Sequence, residues 1–267
     1  MSEQYVQRGN PGIEAVFAAR TASREAAFFL PYLRSGMQVL DVGCGPGSIT
    51  LGLAEAVTPG SVVGIDFQPT QIERAQASAA ERAVANVRFE VADAYQLSFP
   101  GHSFDAVFAH GVLMHLREPV RALVEMRRML RPGGIVGVRD LDYGASLFSP
   151  VTPLLEQWLA LRSRVRRHHG RDSFVGRHHR SLLLEAGFVR AETRASAEHS
   201  AGSLQETRLS AAWFKNVLRG EARTALAEGW ATQATLEAMM AEIDAWAERP
   251  DAFSTEIMCS TIGWTDA

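Results

Sequence analysis

Cysteine is nearly absent from this chain: Cys44 and Cys259 are the only two in 267 residues. Two thiols cannot build a disulfide framework or a four-cysteine zinc site, and no metal centre is expected. Lysine is scarcer still. Lys215 stands alone and arginine supplies the remaining positive side chains, a bias of composition rather than a functional signal. The formal net charge is −3, so there is no basic field to draw in nucleic acid. No apolar run approaches the roughly 18 residues of a membrane span. The opening residues Met1 to Tyr5 are polar, without an apolar leader region, and a cytoplasmic protein with no membrane partner is expected. With 46% hydrophobic and 21% charged residues, the balance is that of an ordinary globular chain.

Apolar patterning predicts alternating strands and helices. Residues 14–33 carry a helical spacing and predict one or two lead-in helices. A short apolar run over 37–42 that ends in glycines reads as a buried parallel strand. A helix over 49–56 follows, stopped by Pro59-Gly60. A second strand spans 61–66, and Pro69 opens a helix where its missing N–H costs nothing. Ile72, Ala75, Ala79 and Ala83 give that helix its apolar face. Further strands are expected at 87–91, 104–109 and 135–138, with a helix over 118–130 closed by Pro132-Gly133-Gly134. Beyond Tyr143 helices are expected around 154–165, 181–186, 203–218 and 232–247, with strands at 189–195 and 253–262. The long helical stretch between the sixth and seventh strands reads as a cap. Strand–helix alternation predicts an α/β fold, a doubly wound, mostly parallel seven-stranded sheet, in which ligands sit beyond the carboxyl ends of the strands.

The residues just after each strand carry the chemistry. Asp41-Val42-Gly43-Cys44-Gly45-Pro46-Gly47-Ser48 places glycines where backbone must turn tightly and approach a ligand, before a helix N-terminus. A dinucleotide fingerprint wants Gly-x-Gly-x-x-Gly. Here the third glycine, Gly47, comes one place early and Ser48 holds the dinucleotide position. Asp41 suits a ligand with an ammonium group; a tight turn without any ligand is the other reading. Asp66 can accept from both hydroxyls of a ribose or can serve as a helix cap. Phe67 can lie on an adenine face or pack in the core. Asp93, beside Ala94, can accept from an adenine amino group or occupy a surface turn. Three acids ending three consecutive strands behind one glycine turn form a joint pattern that each alone does not.

As a set, these residues resemble the class I S-adenosylmethionine-dependent methyltransferases, in the ubiquinone/menaquinone-methyltransferase-like group. The resemblance rests on Val39 to Gly47, Val63-Gly64-Ile65-Asp66, Ala92-Asp93-Ala94, Phe104 to Phe108, Val112-Leu113-Met114-His115-Leu116 and Leu130-Arg131-Pro132-Gly133-Gly134, across residues 35–140. Arg20-Thr21-Ala22 and Val138 to Tyr143 also resemble a bacterial and fungal subgroup acting on natural products, some on thiols. The resemblance implies a Rossmann-like methyltransferase fold and S-adenosyl-L-methionine as cofactor. Gly43, Cys44 and Gly45 would line its methionine portion, and His110 would touch that portion through its backbone. Asp66 would hold the ribose, Phe67 the adenine, and Asp93 with Ala94 the adenine amino edge. Arg20 would reach the cofactor carboxylate. Residues 1–145 would form the cofactor-binding core with its N-terminal helices. Residues 146–267 would supply the remaining sheet and a helical cap insertion, within a single structural domain.

Because the sulfonium already activates the methyl group, the protein need mainly align the acceptor and exclude water. A base helps where the acceptor arrives protonated. His115 is the first candidate, one turn past the fourth strand; a histidine packing at a helix start is the competing reading. Tyr143 and Asp142, after the fifth strand, come second. The basic run from Arg162 to Arg180, including His168, His169, His178 and His179, reads as a solvated face, or else as a binding place for an anionic substrate group. Met239, Met240 and Trp246 recur at helical spacing and read as cap core. The function expected is methylation of a small-molecule acceptor, a natural product or secondary metabolite, at oxygen or sulfur. A nicotinamide-dependent oxidoreductase and a non-catalytic S-adenosylmethionine-binding regulator are the alternatives.

Overall fold

A computed structural model describes residues 18–267. The part of the lead-in before residue 18 lies outside them. Within them the lead-in is α1 (Ala22–Glu25) followed by one 3-10 turn, Leu30–Tyr32. The alternation then runs β1 (Gln38–Val42), α2 (Ser48–Val57), β2 (Ser61–Asp66), α3 (Pro69–Glu81), β3 (Val87–Val91), β4 (Phe104–His110), α4 (Pro119–Met129) and β5 (Leu130–Ser149). The second half contributes α5 (Pro153–His168), α6 (Val175–Glu185), β6 (Arg190–Ala201), α7 (Leu204–Ala227), α8 (Gln233–Ala247) and β7 (Phe253–Trp264). Among the described residues no helix is long and apolar enough to cross a membrane.

The seven strands form one sheet in the order β3-β2-β1-β4-β5-β7-β6. The first five pair in parallel, and β7 lies antiparallel between β5 and β6. Burial explains the sequence patterns. β1, β2 and β4 are covered on both faces and so are almost continuously apolar. At the β3 edge only Phe89 is buried. Proline stands in the first turn of α3, α4 and α5, where no N–H is required.

Two expectations are corrected. The helix expected to reach Leu130 ends at Met129, because Leu130 pairs with Phe104 and already belongs to β5. That strand, expected over only four residues, runs on to Ser149 against β7. Arg139, Asp140 and Asp142 hid its length by breaking the apolar run. Each finds a partner inside the fold: Arg139 Nη1 donates to Ser260 Oγ at 2.9 Å, Asp140 faces His179, and Asp142 accepts from Arg177.

The cap is also broader than the stretch between β6 and β7. α5, which precedes β6, packs with α7 and α8 around Trp158, Phe214, Ile243 and Trp246. Phe148, near the end of β5, joins them, with ring centroids 5.2 Å from Phe214 and 6.1 Å from Trp158. Met239 is buried there and Met240 packs at its margin. Ser203 begins α7 with a reciprocal capping box to Glu206, and Thr232 caps α8.

The N-terminal segment is seated on the sheet by Phe29, fully buried, with its centroid 5.3 Å from that of Phe108. Gly137 of β5 makes room for it: a Cβ there would lie 2.4 Å from Phe29 Cδ2. Overpacking a core position costs about 1–3 kcal/mol. Gly137→Ala is therefore expected to lower the Tm by several degrees in a thermal melt. An unchanged Tm would show that Phe29 is not wedged against the strand.

Candidate functional site

The chain leaves β1 toward β2 and returns with β4 on the other side of β1, so the strand order switches between these two neighbours. In open α/β sheets this switch point opens a crevice. A cavity of about 550 Å³ occupies it, within the roughly 300–1,000 Å³ of small-molecule sites. Arg20, Asp41, Gly43, Cys44, Gly45, Asp66, Phe67, Asp93, Ala94 and His110 all line it, and so does His115. Tyr143 is not on its wall. That ring lies between two guanidiniums, with Arg162 Cζ 4.5 Å and Arg166 Cζ 4.3 Å from its centroid.

The three glycines of the first turn do different things. Each has positive φ: 74° at Gly43, 54° at Gly45 and 82° at Gly47, a conformation that glycine adopts without penalty. A Cβ at Gly43 would sit 2.5 Å from Val112 Cγ2, so this glycine lets the turn approach the loop after β4. A Cβ at Gly47 would meet Ala75 and Phe89 at 2.9 Å, so the early third glycine serves packing against α3 and β3. At Gly45 a Cβ would meet nothing within 4 Å. The wall there is bare backbone facing open space, as it is at Gly111, where a Cβ also meets nothing.

Two buried carboxylates flank this turn. Asp66 Oδ2 accepts from the Gly45 N–H at 3.1 Å and Oδ1 from the Gln68 N–H at 2.9 Å, tying the exit of β2 to the glycine turn. Burial raises the Asp66 pKa despite these bonds. Asp41 Oδ2 accepts from the Thr50 hydroxyl at 2.6 Å. Burial pushes Asp41 up to about 7; the Thr50 bond opposes this and the charge of Asp66 adds to it. The Cys44 thiol is held well above its ordinary value by burial and by both carboxylates. The turn is thus a place short of positive charge, which suits a cationic ligand.

Around the rim, Phe67 is 46% exposed, a free aromatic face beside the cavity. Asp93 is an exposed turn residue whose Oδ1 accepts from the Tyr95 N–H at 2.9 Å. His110 is buried at the end of β4. Its Nε2 lies 3.1 Å from Glu25 Oε2 and its Nδ1 lies 3.5 Å from Arg20 Nη1. A neutral ring that donates through Nε2 and accepts at Nδ1 satisfies both. Burial lowers the His110 pKa, against the pull of Glu25. Burial alone would raise Glu25, but the His110 bond and the nearby Arg20 and Arg139 charges hold it at about 2. His115 closes a 3-10 turn, Leu113–His115. Burial, then the charges of Arg166, Arg171 and Arg20, hold its pKa well below 6.5, so its imidazole is neutral at physiological pH.

The sequence reading gave no site role to Glu25, Arg139 or Asp140, and it had Arg171 only within the basic run. Asp140 Oδ1 accepts from the Met114 N–H at 3.1 Å, and Arg171 Nε donates to the His115 carbonyl at 3.1 Å, so both fix the turn that carries His115. For Arg139 and Asp140, charged residues inside an otherwise apolar strand were the available signal. The basic run is also not simply a solvated face. Arg162, Arg166, Arg171 and His179 are buried, whereas Arg164, Arg167, His168, Arg177, His178 and Arg180 are exposed.

Comparison with known proteins gives a consistent result. A family model described as a methyltransferase domain matches residues 33–174. An uncharacterized methyltransferase of Schizosaccharomyces pombe is 32% identical over 220 residues, 79% of this chain and 78% of that protein. A demethylmenaquinone methyltransferase of Geobacillus sp. (strain WCH70) is 30% identical over 182 residues, 61% of this chain and 75% of that one. Among solved structures, a Haemonchus contortus phosphoethanolamine N-methyltransferase in complex with S-adenosylhomocysteine shares the fold. Its TM-score is 0.60 at 17% identity, over 99% of this chain and 59% of that one.

The raised Asp41 pKa has a checkable consequence. Its folded value, about 7, lies above the ordinary 3.8, so the folded state holds a proton that the unfolded chain releases. This contribution to stability is full below the ordinary value and is lost as pH rises through about 7. Asp41→Asn keeps an acceptor for Thr50 and removes the ionisation. Thermal melts of the ligand-free protein should show the variant gaining on the parent by several degrees between pH 6 and pH 8.5. A gap independent of pH would mean that Asp41 is ionised throughout.

Proposed function

The chain belongs to the methyltransferase-domain family, and on that premise we propose that this S-adenosylmethionine-dependent methyltransferase modifies a small-molecule acceptor, a natural product or other secondary metabolite, at oxygen or sulfur. One observation carries the reading: the residues expected to grip the cofactor meet around one cavity whose glycine walls at Gly45 and Gly111 are open. The paired buried acids of that cavity fit a ligand bearing sulfonium and ammonium charges.

Gly43, Cys44 and Gly45 would hold the methionine portion, with Asp41 behind them and Arg20 toward the carboxylate. Asp66 would accept from the ribose hydroxyls on lone pairs that its two backbone bonds leave over. Phe67 would cover the adenine, and Asp93 with Ala94 would bind its amino edge. His110, engaged by Glu25 and Arg20 through its ring, would meet the ligand through its backbone. The cofactor supplies a methyl group already activated on sulfur, open to in-line attack by an acceptor atom. The work left to the chain is alignment and exclusion of water. His115, neutral and on the cavity wall, can take a proton from a hydroxyl or thiol acceptor, which favours oxygen or sulfur. Tyr143, held between Arg162 and Arg166, would face the acceptor rather than the cofactor.

A small acceptor is favoured by the way the cap is tied to the loop after β4. Arg166 Nη2 donates to the Met114 carbonyl and Arg171 to that of His115, so the cap is fastened to the loop on the acceptor side. An oxidoreductase reading is disfavoured by Gly47, whose role is packing where a dinucleotide fingerprint needs a glycine one residue later.

Incubation with methyl-labelled S-adenosylmethionine and metabolite extracts, read by mass spectrometry, tests the proposal. Label should appear in a small molecule, on oxygen or sulfur. Label confined to protein or nucleic acid would contradict it, and cofactor binding with no turnover of any acceptor would favour a regulator. Within that assay His115→Ala should lower kcat roughly 10- to 1,000-fold, the order of a lost general base, with cofactor affinity little changed. Since burial keeps His115 neutral, the parent's rate should not fall as pH drops from 7.5 to 6.5. A limb with a midpoint near 6.5 that vanishes in the variant would show an ordinary, solvated histidine instead.

A further inference from the structure

A cluster of buried polar side chains lies where the cap meets the sheet, outside the wall of the cofactor cavity. Arg162 and Arg166 of α5 are 2% and 8% exposed, and Glu221 of α7 and Glu256 of β7 are each 5% exposed. The Tyr143 ring sits against both guanidiniums, and Arg162 Cζ is also 5.2 Å from the Trp158 ring. Polar atoms in this cluster have no hydrogen-bond partner among the described residues: Nε and Nη1 of Arg162, Nε of Arg166, Oε2 of Glu221 and Oε1 of Glu256. The Trp158 indole N–H and the hydroxyls of Ser146 and Ser254 are in the same condition.

Leaving such a group unsatisfied destabilises the fold, the more so when it is charged. Native proteins keep few such groups, so the Arg162, Arg166, Trp158, Glu221 and Glu256 atoms, grouped around Tyr143 by ring contacts and charge interactions, mark groups that await a partner. The sheet is deformed at the same place. β5 and β7 pair at Asp142 with Ile257 and again at Leu147 with Thr255. Four residues, 143–146, therefore bulge out opposite the single residue Glu256. Bulges that re-aim side chains are over-represented beside active sites. The cluster also adjoins the cofactor cavity: Arg166 is bonded to the Met114 carbonyl, next to His115 on the cavity wall.

The charges say what the partner is. Two guanidiniums and two carboxylates sum to zero, but their free atoms are separate donors and separate acceptors. An apolar acceptor would leave all of them unsatisfied. A simple anion would leave the two glutamates, and a simple cation the two arginines. Burial raises Glu221 to about 7 even against the two arginine charges. We propose that this cluster is the acceptor-recognition subsite and that the acceptor is a small zwitterion, presenting a carboxylate to Arg162 and Arg166 and an amino group to Glu221 and Glu256.

The proposal rests on the methyltransferase reading, and its test separates the two. The full chain, loaded with S-adenosylhomocysteine, is screened by saturation-transfer NMR against free α-amino acids, β-amino acids and dipeptides. Matched N-acetyl and carboxamide derivatives are screened beside them. At least one free zwitterion should bind, with blocked amino or carboxylate forms at least tenfold weaker. Glu221→Gln and Arg162→Gln should each weaken that ligand at least tenfold. Glu221→Gln should melt no lower than the parent at pH 8, where a merely structural glutamate would lose stability. Absence of zwitterion binding, equal binding of the blocked forms, or indifference to both variants overturns the proposal. Calorimetry of S-adenosylhomocysteine on the same samples isolates the cause. Retained nucleoside binding without zwitterion binding overturns the subsite alone, and loss of both overturns the cofactor reading with it.

Discussion

The site depends on one carboxylate. Asp66 spans the gap between two strands by accepting from the N–H of Gly45 and that of Gln68, so the glycine turn after β1 and the exit of β2 hold each other. The shape of the cavity follows from that bridge, and so does its charge. With Asp41 one strand away, buried and raised to about 7, the turn concentrates negative charge where water is scarce. A ligand carrying positive charge relieves a tension that the empty protein bears by holding a proton. Bare backbone at Gly45 leaves the space in which such a ligand can lie.

The rest of the chain braces the loop beside that turn. β5 runs past the ends of its parallel neighbours and pairs with β7, carrying Arg139, Asp140 and Asp142 into the interior. Their partners brace the loop after β4: Asp140 holds the turn of His115, and Arg139 joins Glu25, which in turn holds His110. Arg166 of α5 and Arg171 just beyond it reach the same loop from the cap side. His115 is thereby clamped by its backbone while its ring faces the cavity neighbourhood in neutral form, the state that can accept a proton.

The first half of the fold was legible because its strands are buried on both faces and therefore read as short apolar runs; β2 and β3 have the boundaries their patterning implies. The cavity wall was legible for a related reason, since its residues follow strands directly and local order places them together. The second half was harder. Arg139, Asp140 and Asp142 look like loop residues unless their distant partners are known, and Ser260, His179 and Arg177 lie 35 or more residues away. The cap helix α5 was recognisable, but its arginines looked solvated because nothing local reveals that Glu221 and Tyr143 lie against them. Tyr143 was singled out by its position after a strand, yet it lies within the bulge of β5 and outside the cavity wall.

Fold alone does not choose among chemistries, because related sheets carry many of them. What distinguishes this chain is the electrostatic character of the first turn together with the packing role of Gly47. The most direct measurement is calorimetric titration of the purified chain with S-adenosylmethionine and, separately, with NADH. The account predicts saturable one-to-one binding of S-adenosylmethionine, weakened in Asp66→Ala by about 1–3 kcal/mol as a buried hydrogen-bonding partner is lost, and no comparable binding of NADH. Tight NADH binding with none of S-adenosylmethionine, or S-adenosylmethionine binding indifferent to Asp66→Ala, would contradict it.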